Sequence, residues 1–294
     1  MTCFVTGGEG QLGFDIIRTL KEWNKTEIVA PTHEQLDITD KQAVRAMLIE
    51  TKPDIIFHCA AYTNVDRAEE EPERCKTVNV DGTRYLAEMA KELDAKLVYI
   101  STDYVFDGTK IGKYNIEDPV HPLNVYGKTK WDGEEIVRKL VPKSFIVRTS
   151  WLFGIHGNNF IKKMLHLAES KNEVDIVSDQ FGSPTYTKDL ARFIINLAQT
   201  DYYGTYHATN EGDTTWADLA RYVFISNHLD VTVNDVTTAQ YPTPAKRPSN
   251  SKLSKHKITD NGFILLPVWQ NAVDRYSQEY QGLKEGSNES QNNH

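Results

Sequence analysis

The chain has 294 residues, with 33 Lys and Arg against 41 Asp and Glu, for a formal charge of −8. That acidic balance argues against a dedicated nucleic-acid surface, and no run of about 18 apolar residues offers a membrane span. Three scattered cysteines (Cys3, Cys59, Cys75) exclude a disulfide framework or a CxxC zinc cluster. The nine histidines lack HxH or HExxH spacing, so no catalytic metal is expected.

In chain order, Met1 to Val5 reads as the start of a strand rather than a basic, apolar leader, so a cytoplasmic protein is expected. Cys3 to Thr6 leads into a glycine loop, followed by Leu12, Ile16, Ile17 and Leu20 at helical spacing. Strands are expected at 27–30, 54–59, 96–101 and 144–148, and helices at 41–50, 73–93 and 124–140. This alternation predicts an α/β fold, a Rossmann-type doubly wound parallel sheet over residues 1–150. After Trp151 come shorter helices at 160–170, 188–198 and 215–227, and a proline-rich irregular stretch at 239–251. Residues 151–282 are therefore read as a smaller, mainly C-terminal α/β substrate lobe, some of whose segments return to the main sheet. The polar stretch 283–294 reads as a disordered tail.

Gly7, Gly10 and Gly13 form GxxGxxG between a strand and a helix. In that setting the first glycine permits a tight turn, the second lets backbone approach a pyrophosphate, and the third lets helix pack on strand. The helix start adds unpaired N–H groups. The acid that holds the adenosine ribose belongs at the end of the second strand. That end reads Ala30-Pro31-Thr32-His33, without a carboxylate, and Asp37 follows too late to be placed there. The gap favours NADPH, with NADH as the alternative, although no arginine is nearby to clamp a 2′-phosphate.

Tyr126 and Lys130 stand four residues apart, on one helix face. An ammonium beside a phenol is expected to lower its pKa towards neutrality, making it a usable proton donor and acceptor. Thr102 closes a strand at the carboxyl edge of the sheet, where ligands bind in such folds, and can donate to a carbonyl oxygen. Elsewhere, Trp23 and Trp269 read as packing residues, His58 and Cys59 as core, and Glu69-Glu70-Glu71 with Glu73 as a solvated helix start.

Several longer segments carry more information: residues 60–69 (AAYTNVDRAE), 79–83 (NVDGT), 101–108 (STDYVFDG), 122–130 (PLNVYGKTK), 148–151 (RTSW), 157–160 (GNNF), 179–185 (DQFGSPT) and 247–251 (RPSNS). With the glycine loop, they resemble the extended short-chain dehydrogenase/reductase superfamily and, within it, the family of dTDP-4-dehydrorhamnose reductases, over residues 1 to roughly 280. The resemblance implies a dTDP-sugar substrate, an NAD(P)H cofactor, and a monomer or homodimer; some members of the family depend on Mg2+, for which no residues can be assigned here. It implies that Gly7, Gly10, Gln11, Leu12 and Gly13 meet the pyrophosphate, with Asp37 and Ile38 beside the adenine. Ala60, Ala61, Tyr62, Thr63 and Asn79 complete the dinucleotide site. Thr102, Asp103, Tyr104, Trp151, Asn159 and Arg247 would meet the substrate, Arg247 near the diphosphate. Tyr126, Lys130 and Thr102 would be catalytic, and Tyr126 and Lys130 would also meet the cofactor, the lysine at the nicotinamide ribose. Related dehydratases carry Asp-Glu after the threonine, whereas this chain has Asp103-Tyr104, which favours plain ketone reduction. Two other readings remain at this point: an epimerase or dehydratase of the superfamily, and a non-catalytic regulatory subunit of methionine adenosyltransferase.

Overall fold

The computed structural model describes residues 1–23 and 26–292. In the first half, β1 (Thr2–Thr6), α1 (Gln11–Lys21), β2 (Glu27–Val29), α2 (Lys41–Thr51) and β3 (Ile55–His58) follow the alternation expected from the sequence. The helical run from Pro72 is preceded by a short helix and broken inside. The short helix is α3 (Val65–Glu70), and the run comprises α4 (Pro72–Lys76), a π-helical turn (Thr77–Gly82) and α5 (Thr83–Glu92). Then come β4 (Lys96–Thr102), α6 (Val125–Leu140) and β5 (Ser144–Thr149). The second half holds β6 (Leu152–Phe153), α7 (Phe160–Leu167), β7 (Glu173–Val177), β8 (Phe181–Gly182), β9 (Thr185–Tyr186), α8 (Thr187–Ala198), β10 (Gly204–His207), β11 (Thr214–Thr215), α9 (Trp216–Ser226), β12 (Thr232–Val236), α10 (His256–Asp260) and α11 (Trp269–Asn292).

Six strands form one parallel sheet in the order β2-β1-β3-β4-β5-β10. Alternate residues face opposite sides, and both sides are covered, so the strands are apolar almost throughout. Cys3, Val5, Phe57, Val98 and Phe145 pack with α1 and α8 on one face. Phe4, Ile56, Leu97, Tyr99 and Ile146 pack with α2, α5 and α6 on the other. A separate core of Phe153, Ile161, Met164, Leu219, Phe224, Val273 and Tyr276 belongs to the smaller lobe.

The halves interleave. Strand β10 pairs with β5, and α8 covers the same face as α1, with the Thr187 hydroxyl donating to Asp15 Oδ2 at 2.5 Å. The stretch 283–294 does not read as the sequence suggested. Helix α11 continues to Asn292, with the Lys284 ammonium 2.9 Å from Glu169 Oε1; residues 293–294 lie outside the described residues. Among the described residues no helix is long and apolar enough to cross a membrane.

Strand order reverses between β1 and β3, and at such a switch point the loops leaving the strands separate to open a crevice. A cavity of about 830 Å3 lies there, at the carboxyl ends of β1, β3, β4 and β5.

Candidate active site

One wall of the cavity is the glycine loop. Gly7 sits at φ +67°, and a Cβ on it would meet Ala60 N at 2.7 Å. A Cβ on Gly13 would fall 2.2 Å from Gly7 O, so the loop closes tightly on the start of α1 only without side chains. Gly10 is the N-cap and offers no side chain, leaving the first N–H groups of α1 open to an anion. Gly7, Gly10, Gln11, Leu12 and Gly13 all line the cavity, as do Asp37, Ile38, Ala60, Ala61, Tyr62 and Thr63. Asp37 Oδ1 accepts both the Thr39 N–H (2.9 Å) and the Thr39 hydroxyl (2.8 Å), which hold its carboxyl below the usual range. This bare-backbone cradle and the lining beyond it suit a dinucleotide.

Asn79 is not at the surface of the cavity but behind it. It lies in the π-helical turn, where Oδ1 accepts the Tyr62 N–H at 2.8 Å and Nδ2 donates to Tyr62 O at 3.1 Å and to Thr129 at 3.1 Å. It thereby fastens the Tyr62 loop to α6. π turns of this kind recur at functional sites, because the extra residue re-aims the side chains around it.

At the other end, β4 delivers Thr102 and Asp103, and α6 delivers Tyr126 and Lys130. The start of α6 is fixed from two sides. Asn124 Oδ1 accepts the Gly127 N–H at 2.8 Å, and Glu69 Oε1 accepts the Val125 N–H at 2.8 Å. Gly127 is required because a Cβ there would lie 2.2 Å from Tyr104 O. The Thr102 hydroxyl donates to Asp103 Oδ1 at 3.0 Å, accepts the Tyr104 N–H at 3.2 Å, and faces the Tyr126 phenol. The Tyr104 ring meets that of Tyr126 edge-on at 6.2 Å.

The electrostatics differ from the sequence expectation. Burial, reinforced by the Asp103 carboxylate, pushes the Tyr126 phenol up rather than down. Lys130 is buried, its Nζ 4.1 Å from the centre of the Tyr99 ring, and burial pushes it down to about 7 despite Glu134 nearby. Desolvation outweighs the pairing expected of the lysine. A phenol that keeps its proton at neutral pH suits donation, the direction a reduction needs. Burial likewise pushes the Asp103 carboxyl up to about 6, and Asp103 Oδ2 is buried without a hydrogen-bond partner.

Trp151 lines the cavity in a left-handed conformation (φ +47°), which a tryptophan adopts only when its surroundings hold it. Trp216 stacks on it at 3.6 Å, and Gly182 lies so close that a Cβ would meet Trp151 Cε2 at 2.7 Å. Trp216 also lines the cavity and was missed from the sequence, where it marked only a helix start. Two residues expected at the substrate stand back. Asn159 caps α7 through the Lys162 N–H (2.9 Å) and bonds Gly154 O (2.8 Å) and Gln11 (3.3 Å). The Arg247 guanidinium is held bidentate by Asp66, at 2.9 and 2.8 Å.

Other expectations change too. The acidic run before α4 is engaged: besides Glu69 on α6, Glu71 accepts the Tyr62 hydroxyl at 3.0 Å. Cys59 lines the cavity, whereas His58 is enclosed, with Thr6 and Thr83 on its two ring nitrogens at 2.9 and 3.0 Å. At the end of β2, where the strand carries no acid, Glu9 Oε2 accepts the His33 N–H at 3.2 Å. Among the described residues, no group of three or more His, Cys, Asp or Glu side chains is gathered to hold a metal ion.

A family model described as the RmlD substrate binding domain matches residues 1–282. A dTDP-4-dehydrorhamnose reductase of Aggregatibacter actinomycetemcomitans is 43% identical over 282 residues, which is 92% of this chain and 96% of that protein. A dTDP-4-keto-6-deoxy-D-glucose reductase of Streptomyces niveus is 44% identical over 221 residues, 75% of this chain and 76% of that one. The crystal structure of a Bacillus anthracis dTDP-4-dehydrorhamnose reductase in complex with NADP matches with a TM-score of 0.93 at 40% identity, covering 95% of this chain and 99% of that chain. The chain belongs to the dTDP-4-dehydrorhamnose reductase family.

Proposed function

We propose that this protein reduces the 4-keto group of dTDP-4-dehydrorhamnose to give dTDP-rhamnose, using a reduced nicotinamide dinucleotide, in the cytoplasm. The observation that carries the reading is the meeting of Thr102, Tyr126 and Lys130 in one cavity with a side-chain-free glycine cradle. When bound in the glycine cradle, a reduced dinucleotide would supply the hydride to C4. The chain supplies the rest. Tyr126 keeps its proton at neutral pH and gives it to the C4 oxygen as that oxygen gains charge. The Thr102 hydroxyl turns from Asp103 to donate to the same oxygen. Lys130 lines the same cavity one turn along α6, its ammonium over the Tyr99 ring, where it would hold the nicotinamide ribose. Gly7, Gly10, Gln11, Leu12 and Gly13 bind the pyrophosphate, Asp37 and Ile38 bound the adenine, and Ala60, Ala61, Tyr62 and Thr63 close the far side. Trp151, backed by Trp216, gives the sugar an apolar wall.

The dehydratase reading is disfavoured because the residue after Asp103 is Tyr104, whose ring packs against Tyr126 and can supply no second carboxylate. A regulatory scaffold would have no use for a buried Lys130 and a protonated Tyr126 facing Thr102. Tyr126→Phe is expected to keep nucleotide affinity while lowering kcat by about two orders of magnitude or more. Near-normal turnover in that variant would remove the phenol from its role.

A further inference from the structure

The adenosine end of the cavity is bounded by Glu9, Pro31, His33, Leu36, Asp37 and Ile38. In folds of this kind a carboxylate at the end of the second strand accepts the ribose 2′-hydroxyl, and that same charge repels a 2′-phosphate. The strand itself provides none: β2 stops at Val29 and runs on through Ala30-Pro31-Thr32. The glycine loop provides one instead. Glu9, between Gly8 and Gly10, crosses to the end of β2, where its Oε2 accepts the His33 N–H at 3.2 Å. Its second oxygen, Oε1, accepts no hydrogen bond among the described residues and is left to receive one. Asp37 adds a second carboxylate on the same wall, held ionised by Thr39.

Cations are scarce. Among the described residues, the only Arg and Lys lining the cavity are Arg74, paired with Glu71 at 3.4 Å beside the Tyr62 ring, and Lys130, at the far end on α6. Neither bounds the adenosine end; His33 is the single basic side chain there. A 2′-phosphate carries roughly −1.5 to −2 at neutral pH and would face two carboxylates without an arginine clamp.

We propose that Glu9 is the ribose-recognising acid of this chain and that it makes the protein select NADH over NADPH, reversing the preference drawn from the bare end of β2. The inference rests on the nicotinamide cofactor of the proposed function. It is tested by binding alone, with calorimetric titration of the intact protein by NADH and by NADPH, in wild type and Glu9→Gln. Wild type is expected to bind NADH at least about tenfold more tightly than NADPH, the scale of one uncompensated charge repulsion near a surface. Glu9→Gln keeps an acceptor but loses the charge, so the ratio should contract by about the same factor, chiefly through tighter NADPH binding. Glu9→Lys, with its melting temperature as a check on folding, should push the ratio towards NADPH. Equal or tighter binding of NADPH by wild type, or a ratio that neither substitution moves, would overturn the assignment to Glu9 and leave the reductase reading standing. Failure of both nucleotides to bind wild type would remove the reductase reading and this proposal together.

Discussion

Tyr126 shows why residue type and spacing do not fix protonation. Its place one turn before Lys130 is readable from the sequence; the sign of its pKa shift is not, because that depends on how completely both groups leave water. His58 carries the same lesson into stability. It is enclosed between Thr6 and Thr83, and burial pushes it down to about 3; His207 is pushed to about 3 as well. Between an unfolded value near 6.5 and those folded values, the unfolded chain binds more protons, so both histidines make stability fall as pH falls. Asp103 works the other way between about 6 and 3.8, since its folded carboxyl holds a proton longer. Asp15, raised by burial, acts in the same direction as Asp103, but the two histidines titrate first as pH falls from 7, so stability measured by urea unfolding should decline from pH 7 to pH 6. His58→Gln should flatten that decline, by at most about 1.4 kcal/mol per pH unit. An unchanged slope would mean that His58 does not titrate on unfolding.

At the scale of elements, α3 is the junction on which the site turns. Its Glu69 caps the helix that carries Tyr126, its Asp66 grips Arg247 of the 239–251 loop, and Asn124 at the start of α6 donates to Lys246 O of that loop at 2.8 Å. Three segments distant in sequence thus meet at the residue preceding the phenol. Removing the Glu69 acceptor leaves the Val125 N–H uncapped, a cost of about 1 kcal/mol. Glu69→Ala should therefore lower kcat several-fold through a looser Tyr126, with a small drop in melting temperature, whereas Glu69→Gln, which retains an oxygen, should stay near wild type. Equal kcat in all three would confine Glu69 to a surface role. Beneath this junction, Glu134 and Arg148 form a buried bidentate pair at 2.9 and 2.8 Å, joined by the Ser101 hydroxyl at 2.5 Å, and lock α6 to β4 and β5.

Across the whole molecule, the first half was legible because apolar periodicity and Gly or Pro punctuation agree there: β1, β3, β4 and β5 end within a residue or two of their expected limits. The second half was less so. Strand β10 has four residues and no local sign that its partner is β5, and β7 and β12 pair with each other across some 55 residues of chain. Pairing between remote segments leaves no trace in either one alone. The same holds at the site. Glycine-loop and Tyr–Lys spacings are local and could be read, whereas Glu9 at the end of β2, Trp216 against Trp151 and the capture of Arg247 by Asp66 exist only once the chain is folded. The central claim, net reduction of a 4-keto sugar nucleotide by a protonated phenol, is tested most directly by incubating the protein with dTDP-4-dehydrorhamnose and a reduced nicotinamide dinucleotide. Following absorbance and sugar product together should show one dinucleotide oxidised for each dTDP-rhamnose formed. A sugar that changes without net oxidation of the dinucleotide, or a dinucleotide left untouched with the substrate unchanged, would contradict it.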